Sequence, residues 1–261
     1  MKKYKIIIPL ALILIIANVL SFSVSAKESE YSWYCQRTGN KQPNITYEEN
    51  LISKYEGYCI DRSVTDKSSD KVLYITFDAG YENGNVERIL NVMKKENISA
   101  AFFLLDNIIL KNPELVTRMV NEGHTVCNHT KNHKNLCDSS KTEIANDLKS
   151  LENLFESTTG LTMQKFFRFP EGKYSEQALK FVSELGYKTV FWSFAYDDWD
   201  NSRQMDKNKA FKKIIENTHN GAVILLHPTS SVNASIMPQL IKEWKSMGYR
   251  FGTLDELASK N

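Results

Sequence analysis

The chain has 261 residues, 42% of them hydrophobic and 25% charged; that is enough to bury a core, and it excludes a disordered or collagen-like chain. Lys and Arg number 33 against 31 Asp and Glu, but three of those lysines and no acid fall in residues 1–26, so the remainder stands at 30 against 31. A body so near neutrality lacks the basic excess that phosphate backbones demand, which argues against a nucleic-acid partner.

Lys2, Lys3 and Lys5 precede an apolar run from Ile6 to Leu20, and Val24-Ser25-Ala26 offers a small-residue cleavage site. This order predicts a signal peptide over residues 1–26. Left uncleaved, the run would act as an anchor, although it is shorter than the ~20 residues that span a bilayer. On both readings the rest of the chain is extracytoplasmic, secreted or membrane-anchored, and the membrane is a partner only if the leader is retained. Residues 27–70 are polar and irregular but hold Trp33, Tyr34, Tyr47, Tyr55 and Tyr58. They are predicted to form an N-terminal extension packed on the main domain, with a boundary at the polar stretch 63–70. Cys35 and Cys59 flank one polar segment and can pair in an oxidising compartment. Cys127 reads as a core thiol, Cys137 is unassigned, and the pairing stays open. No C-x-x-C occurs, so a zinc ribbon or thioredoxin motif has no support.

From residue 71 strands and helices alternate. Val72–Phe77 is a β-rich run, Asn85–Lys95 has helical periodicity, and Ala100–Leu105 is apolar again. A helix over Pro113–Asn121, a strand at His124–Cys127 and an amphipathic helix over Thr142–Glu156 follow. Phe166–Phe167 is a short strand; Ser175–Leu185 is a helix stopped by Gly186; Lys188–Ser193 is a strand. Lys209–Thr218, Ala222–Leu226, Ser235–Met247 and Arg250–Thr253 continue the pattern, and a short helix ends it. Such alternation predicts parallel strands covered by helices, and near-continuous apolar strands predict a sheet buried on both faces. The expected fold is α/β, a distorted (β/α) barrel of about seven parallel strands over residues 71–261. A doubly wound open sheet is the alternative, but the first βα turn lacks the G-x-G-x-x-G fingerprint.

Five of these strands run into polar clusters: Asp78; His129 and His133; Arg168; Asp197-Asp198-Trp199; and His227. In parallel α/β barrels the loops at strand C-termini build the active site, so the five are expected to converge on one rim. His129 and His133 stand four apart, which on a helical turn brings both imidazoles to one metal; two solvated histidines would be the plain alternative. Asp78 can ligate metal, act as a base or cap the next helix. His227 is a candidate general acid or a core histidine. Arg168 beside Asp198 can form a pair that positions a carboxylate.

In order, Thr76-Phe77-Asp78-x-Gly80, His129-Thr130-x-x-His133, Arg168-x-Pro170-x-Gly172, Asp198-Trp199 and Leu225-Leu226-His227 resemble the polysaccharide deacetylase domain (NodB homology, carbohydrate esterase family 4). Tyr81-Glu82-Asn83-Gly84, the aromatic N-terminal extension and Leu225–Ser230 resemble its branch that deacetylates N-acetylmuramic acid in spore cortex peptidoglycan, a step towards muramic-δ-lactam. The resemblance implies that Asp78 is the general base, that His129 and His133 hold a divalent metal, usually zinc, and that Arg168 orients Asp78 with Asp198 behind it. It also implies an oxyanion contact from the Glu171 N–H, substrate contacts at Gly172, Lys173 and Trp199, an acetyl pocket at Leu225 and a general acid at His227. Peptidoglycan would be the partner and the chain a monomer.

Two residues depart from the pattern. The family's second aspartate, a metal ligand, is Ala79 here, so either the two histidines and waters hold zinc more weakly, or Glu82 or Asn83 reaches in instead. Glu171 stands where a muramic carboxylate would favour a cation, with Lys173 the nearest candidate. Two other readings therefore accompany the first: a deacetylase of N-acetylglucosamine in peptidoglycan or chitin-like oligomers, and a non-catalytic glycan-binding relative.

Overall fold

The computed structural model describes residues 29–260, so the predicted leader and its cleavage site lie outside the described residues. Among the described residues no helix is long and apolar enough to cross a membrane. The order is β1 (Tyr31–Ser32), α1 (Thr46–Ser53), β2 (Gly57–Tyr58), β3 (Lys71–Ala79), α2 (Asn85–Glu96), β4 (Ala101–Leu104), α3 (Asp106–Lys111), α4 (Pro113–Asn121), β5 (Thr125–Asn128) and α5 (Lys141–Thr159). Then come β6 (Phe166–Phe167), β7 (Lys173–Tyr174), α6 (Glu176–Glu184), β8 (Lys188–Val190), α7 (Lys207–Glu216), β9 (Ala222–Leu226), α8 (Ser231–Ser246), β10 (Tyr249–Phe251) and α9 (Leu254–Lys260).

Seven strands after residue 70 form one parallel sheet, as the alternation predicts: β10, β3, β4, β5, β6 and β8 in order, with β9 against β3. A single bridge, Phe194 to Ile224, curls the far edge back towards β9. The Leu225 N–H donates to Phe194 O at 2.9 Å beside it. Residues of β3 alternate between two cores. Leu73, Ile75 and Phe77 pack under α2 and α8, against Ile89, Met93 and Leu240. Val72 and Tyr74 face the barrel interior with Phe103, Val190 and Val223. Burial on both faces is why the strand reads as an unbroken apolar run.

The extension is more regular than its polar composition predicts. β2 lies parallel beside β8, with Tyr58 opposite Val190, and Ile60 bridges Ala222 at the start of β9. The extension thus supplies a strand of the main sheet, where β8 and β9 would otherwise leave backbone groups unpaired. Trp33, Ile45 and Ile52 form a third cluster with Phe169, Leu179 and Phe191. β1 pairs antiparallel with β7. α8 starts four residues earlier than its periodicity predicts, because the Ser230 hydroxyl caps it by accepting the Asn233 N–H. All four cysteines are free thiols, Cys127 and Cys137 in the buried interior.

Candidate active site

The carboxyl ends of the strands open into a cavity of about 890 Å³. Asp78, His129, His133, Glu171, Trp199, Leu225 and His227 line it together. The convergence expected from five strand ends is therefore present in the geometry. Asp78 stands at the end of β3, on the face that carries Tyr74 into the barrel. Arg168 follows β6 and is fully buried. Its guanidinium donates from Nη1 to Asp78 Oδ1 at 2.7 Å, from Nη2 to Thr76 Oγ1 at 2.9 Å and from Nε to Val190 O at 2.8 Å. Its plane lies over Phe103, 4.1 Å from the ring centre. Burial opposes the charge on Asp78, but Arg168 outweighs it and holds the carboxyl below its usual range.

His129 and His133 are brought together by a loop and not by the helical turn that their spacing suggests. Thr130 and His133 both take left-handed backbone, φ 70° and 62°. The Asn128 side chain accepts the Thr130 N–H at 3.0 Å, and Asp147 accepts the Lys131 N–H at 2.9 Å, which fixes the loop. The imidazole centres are 5.0 Å apart. Burial pushes His129 down to about 4, so it is neutral at pH 7. Its Nδ1 lies 2.8 Å from Arg168 O, which can only accept, so Nδ1 carries the proton. The Nε2 lone pair then faces Asp78 Oδ2 at 3.5 Å. This contact is not an ion pair but two acceptors facing one another.

Asp198 does not stand behind Arg168. It lies behind His227, 1% exposed, because the loop after β8 carries it towards β9 and away from β6. Its Oδ1 takes His227 Nδ1–H at 2.7 Å, and its Oδ2 takes the His227 N–H at 2.8 Å and Asn233 Nδ2–H at 2.5 Å. Burial works against a charged His227, but Asp198, by charge and by hydrogen bond, outweighs it and raises the imidazole above its ordinary value. Nε2 is left facing the cavity, where the protonated imidazole would present a donor. Asn233 escapes sequence reasoning, since it lies on a helix with no strand-end signal; its place six residues after His227 was the only hint.

Glu171 sits in a tight turn over Pro170–Gly172 with φ 56°. The turn is closed by the Gly172 N–H to Phe169 O, 3.1 Å. Glycine is required next to it: a Cβ at 172 would lie 2.8 Å from Trp192 and 3.0 Å from the Trp33 side chain, at φ +66°. Lys173 does not supply the cation expected of it. Its ammonium is spent on Glu171 at 2.7 Å, and neither Gly172 nor Lys173 lines the cavity. Among the described residues the one Lys or Arg that lines the cavity is Arg37 of the extension, whose distance in sequence from every strand end hid it. Tyr34, Tyr81 and Trp199, all exposed aromatics, stand around the mouth and offer ring faces to a sugar.

The donors do not complete the metal site that the resemblance implies. Ala79 has no ligating atom. Glu82 Oε2 accepts the Val86 N–H at 3.0 Å. Asn83 holds Thr229 O and the start of α2. Asn83 is thus committed to capping; Glu82 caps with one oxygen and keeps Oε1 buried without a hydrogen-bond partner among the described residues, but neither side chain lines the cavity. Among the described residues no group of three or more His, Cys, Asp or Glu is placed to hold a metal, whereas zinc in catalytic sites takes three protein ligands.

Residues 65–190 match the polysaccharide deacetylase family. The chain is 35% identical over 228 residues to the peptidoglycan-N-acetylmuramic acid deacetylase PdaA of Bacillus subtilis, 87% of this chain and 85% of that one. The solved structure of that family 4 carbohydrate esterase superposes with a TM-score of 0.82 at 33% identity, covering 88% of this chain and 97% of the other. A peptidoglycan-N-acetylglucosamine deacetylase of Bacillus cereus is 30% identical over 73% of this chain and 89% of its own length. A family 4 pseudoenzyme from Bacillus anthracis matches with a TM-score of 0.66 at 26% identity, over 73% of this chain and 66% of its own. With that identity running through most of both chains, this protein belongs to the polysaccharide deacetylase family, hydrolases of N-acetyl amides.

Proposed function

We propose that this protein is an extracytoplasmic peptidoglycan N-deacetylase whose substrate is N-acetylmuramic acid, as on the route to muramic-δ-lactam in spore cortex. The observation that carries the reading is that Asp78 and His227 face one cavity with separate partners that bias them in opposite directions. Arg168 favours the ionised carboxylate of the first, and Asp198 favours the protonated imidazole of the second. Two titratable groups driven apart in this way define a base and an acid.

The chemistry follows from those states. A water in the cavity attacks the acetamide carbon, and its proton passes to Asp78 as the new C–O bond makes the water acidic. The carbonyl π pair moves onto oxygen, where the Glu171 N–H is the candidate donor. His227 Nε2–H then protonates the amide nitrogen, the C–N bond breaks, and acetate and a free amine leave. Without that proton the intermediate returns to substrate, because an amine anion is a poor leaving group. Leu225 is apolar and buried at the floor, which suits an acetyl methyl.

Acetate release from purified, peptide-free cortex glycan tests the reading. Wild type should release acetate; Asp78→Asn and His227→Ala should lose roughly 10²–10⁴-fold. Release from N-acetylglucosamine residues alone would favour the second reading, which the Glu171–Lys173 pair supports by neutralising the one basic side chain of that loop. Glycan binding with no acetate from any strand would favour the non-catalytic reading, which Ala79 supports.

A further inference from the structure

We propose that Arg37, supplied by the N-terminal extension, reads a carboxylate on the substrate sugar and so sets the preference for an acidic over a neutral N-acetylhexosamine. The inference rests on the deacetylase reading of the cavity and assigns its substrate class. Of the described residues lining the cavity, Arg37 alone is a Lys or Arg. Of the three carboxylates that share the cavity, Asp78 pairs with Arg168 and Glu171 with Lys173, while Asp197 has no ion pair among the described residues. No carboxylate among the described residues pairs with Arg37.

The guanidinium is also fixed in place. Nε and Nη2 both donate to Ala195 O, at 3.3 and 2.9 Å, and Ala195 itself lines the cavity. The segment before it is fastened twice more: the Trp33 N–H donates to Gly172 O at 2.8 Å, and the Trp33 indole N–H to Trp192 O at 2.9 Å. The Trp33 ring stacks on Phe191 with centres 4.4 Å apart. One edge of the fork is therefore used for attachment, and Nη1 makes no hydrogen bond within the described residues. A planar cation held by one edge, with donors to spare, suits a carboxylate acceptor. An arginine needed only to staple the extension would have no reason to stand in the wall of a glycan cavity as the one guanidinium or ammonium among its described lining residues.

The test compares peptide-free N-acetylmuramic acid strands with the same strands methyl-esterified, so that only the carboxylate charge differs. Acetate release gives kcat/KM for wild type, Arg37→Ala and Arg37→Lys, and calorimetry gives binding of both strands. Wild type should prefer the free acid. In Arg37→Ala the ratio of acid to ester kcat/KM should fall roughly 10- to 100-fold, the span of one lost charge-assisted hydrogen bond. The loss should appear in KM, and Arg37→Lys should restore part of it. Equal losses on acid and ester, or none, would overturn the proposal and leave Arg37 a staple. If wild type releases no acetate from either strand, the deacetylase reading fails. Binding then decides the proposal separately: discrimination by esterification that vanishes in Arg37→Ala sustains it, and its absence sinks it.

Discussion

Replacing Asp198 by Asn removes one charge and almost no volume, and the hydrogen bonds around it dictate the outcome. Asp198 accepts from three donors, two on Oδ2 and one on Oδ1. An amide has one acceptor oxygen, so it satisfies most of the site by placing that oxygen towards the His227 N–H and Asn233. Its NH2 then faces His227 Nδ1, which must give up its proton to accept. The imidazolium loses a charge-assisted bond in a buried place, worth about 1.5–3 kcal/mol, or roughly a 10- to 150-fold smaller acid population. Acetate release from glycan, measured against pH, should fall by that factor near neutrality, and the alkaline limb should move to lower pH. An acetate ester of a phenol needs no protonated leaving group, so its hydrolysis should fall much less. An unmoved alkaline limb, or equal losses on amide and ester, would refute the assignment of Asp198 to His227 as acid.

Four other outcomes follow from the same contacts. Arg168→Ala leaves Asp78 buried without its partner and should cost about 3–5 kcal/mol in urea unfolding, while Arg168→Lys keeps the charge, loses the fork and should still lose activity. Stability measured by urea midpoint should fall as pH drops from 6.5 towards 4: His124 and His129 are each held down to about 4 by burial, so the unfolded chain binds their protons first, at about 3 kcal/mol apiece. Asp78 adds to that loss as its own lowered value is crossed. His227, raised, works the other way, stabilising below its unfolded value and losing that support as pH rises through the folded one; a midpoint flat between pH 6.5 and 4 would contradict the burial of the two neutral histidines. Gly172→Ala should destabilise by about 1–3 kcal/mol, because its Cβ meets Trp192 and Trp33 at a left-handed φ, and an unchanged midpoint would mean the turn relaxes. Ala79→Asp adds a third donor at the cavity edge and should tighten zinc binding in calorimetry by roughly tenfold or more; no gain would show that the missing ligand is not what limits the site.

What could be read from the chain without coordinates follows from range. Strand ends are local: an apolar run broken by a charge places Asp78, Arg168 and His227 at one rim, because parallel topology puts all such ends together. Pairing within the rim is not local. Arg168 and Asp198 look like natural partners in a list, yet the chain directs Asp198 to β9, and Arg168 meets Asp78 ninety positions away. The histidine loop makes the same point at short range. A four-residue spacing fits a helical turn, and nothing in Thr-Lys-Asn announces that Asn128 and Asp147 will bend it through two left-handed residues instead.

The extension is the harder case, and physically the more instructive. Its polar sequence has no period to detect, since β1 and β2 are two residues each and owe their existence to the partners waiting for them. β8 and β9 are held together by a bridge at Phe194, and β2 takes the backbone that this leaves free lower down. The same segment that repairs the barrel also lays Trp33 on Phe191 and brings Arg37 to Ala195. A wall of the cavity is thereby built from residues that precede β3, which starts at Lys71, by more than thirty positions. It follows that cutting the chain at residue 70 should not yield a smaller enzyme with altered specificity. It should expose the backbone of β8 and β9 together with the apolar cluster of Phe169, Leu179 and Phe191, and the fragment should aggregate or unfold. A truncated chain starting at residue 71 that folds cooperatively and still cleaves acetamides would show that the extension is an ornament and that the barrel closes without it.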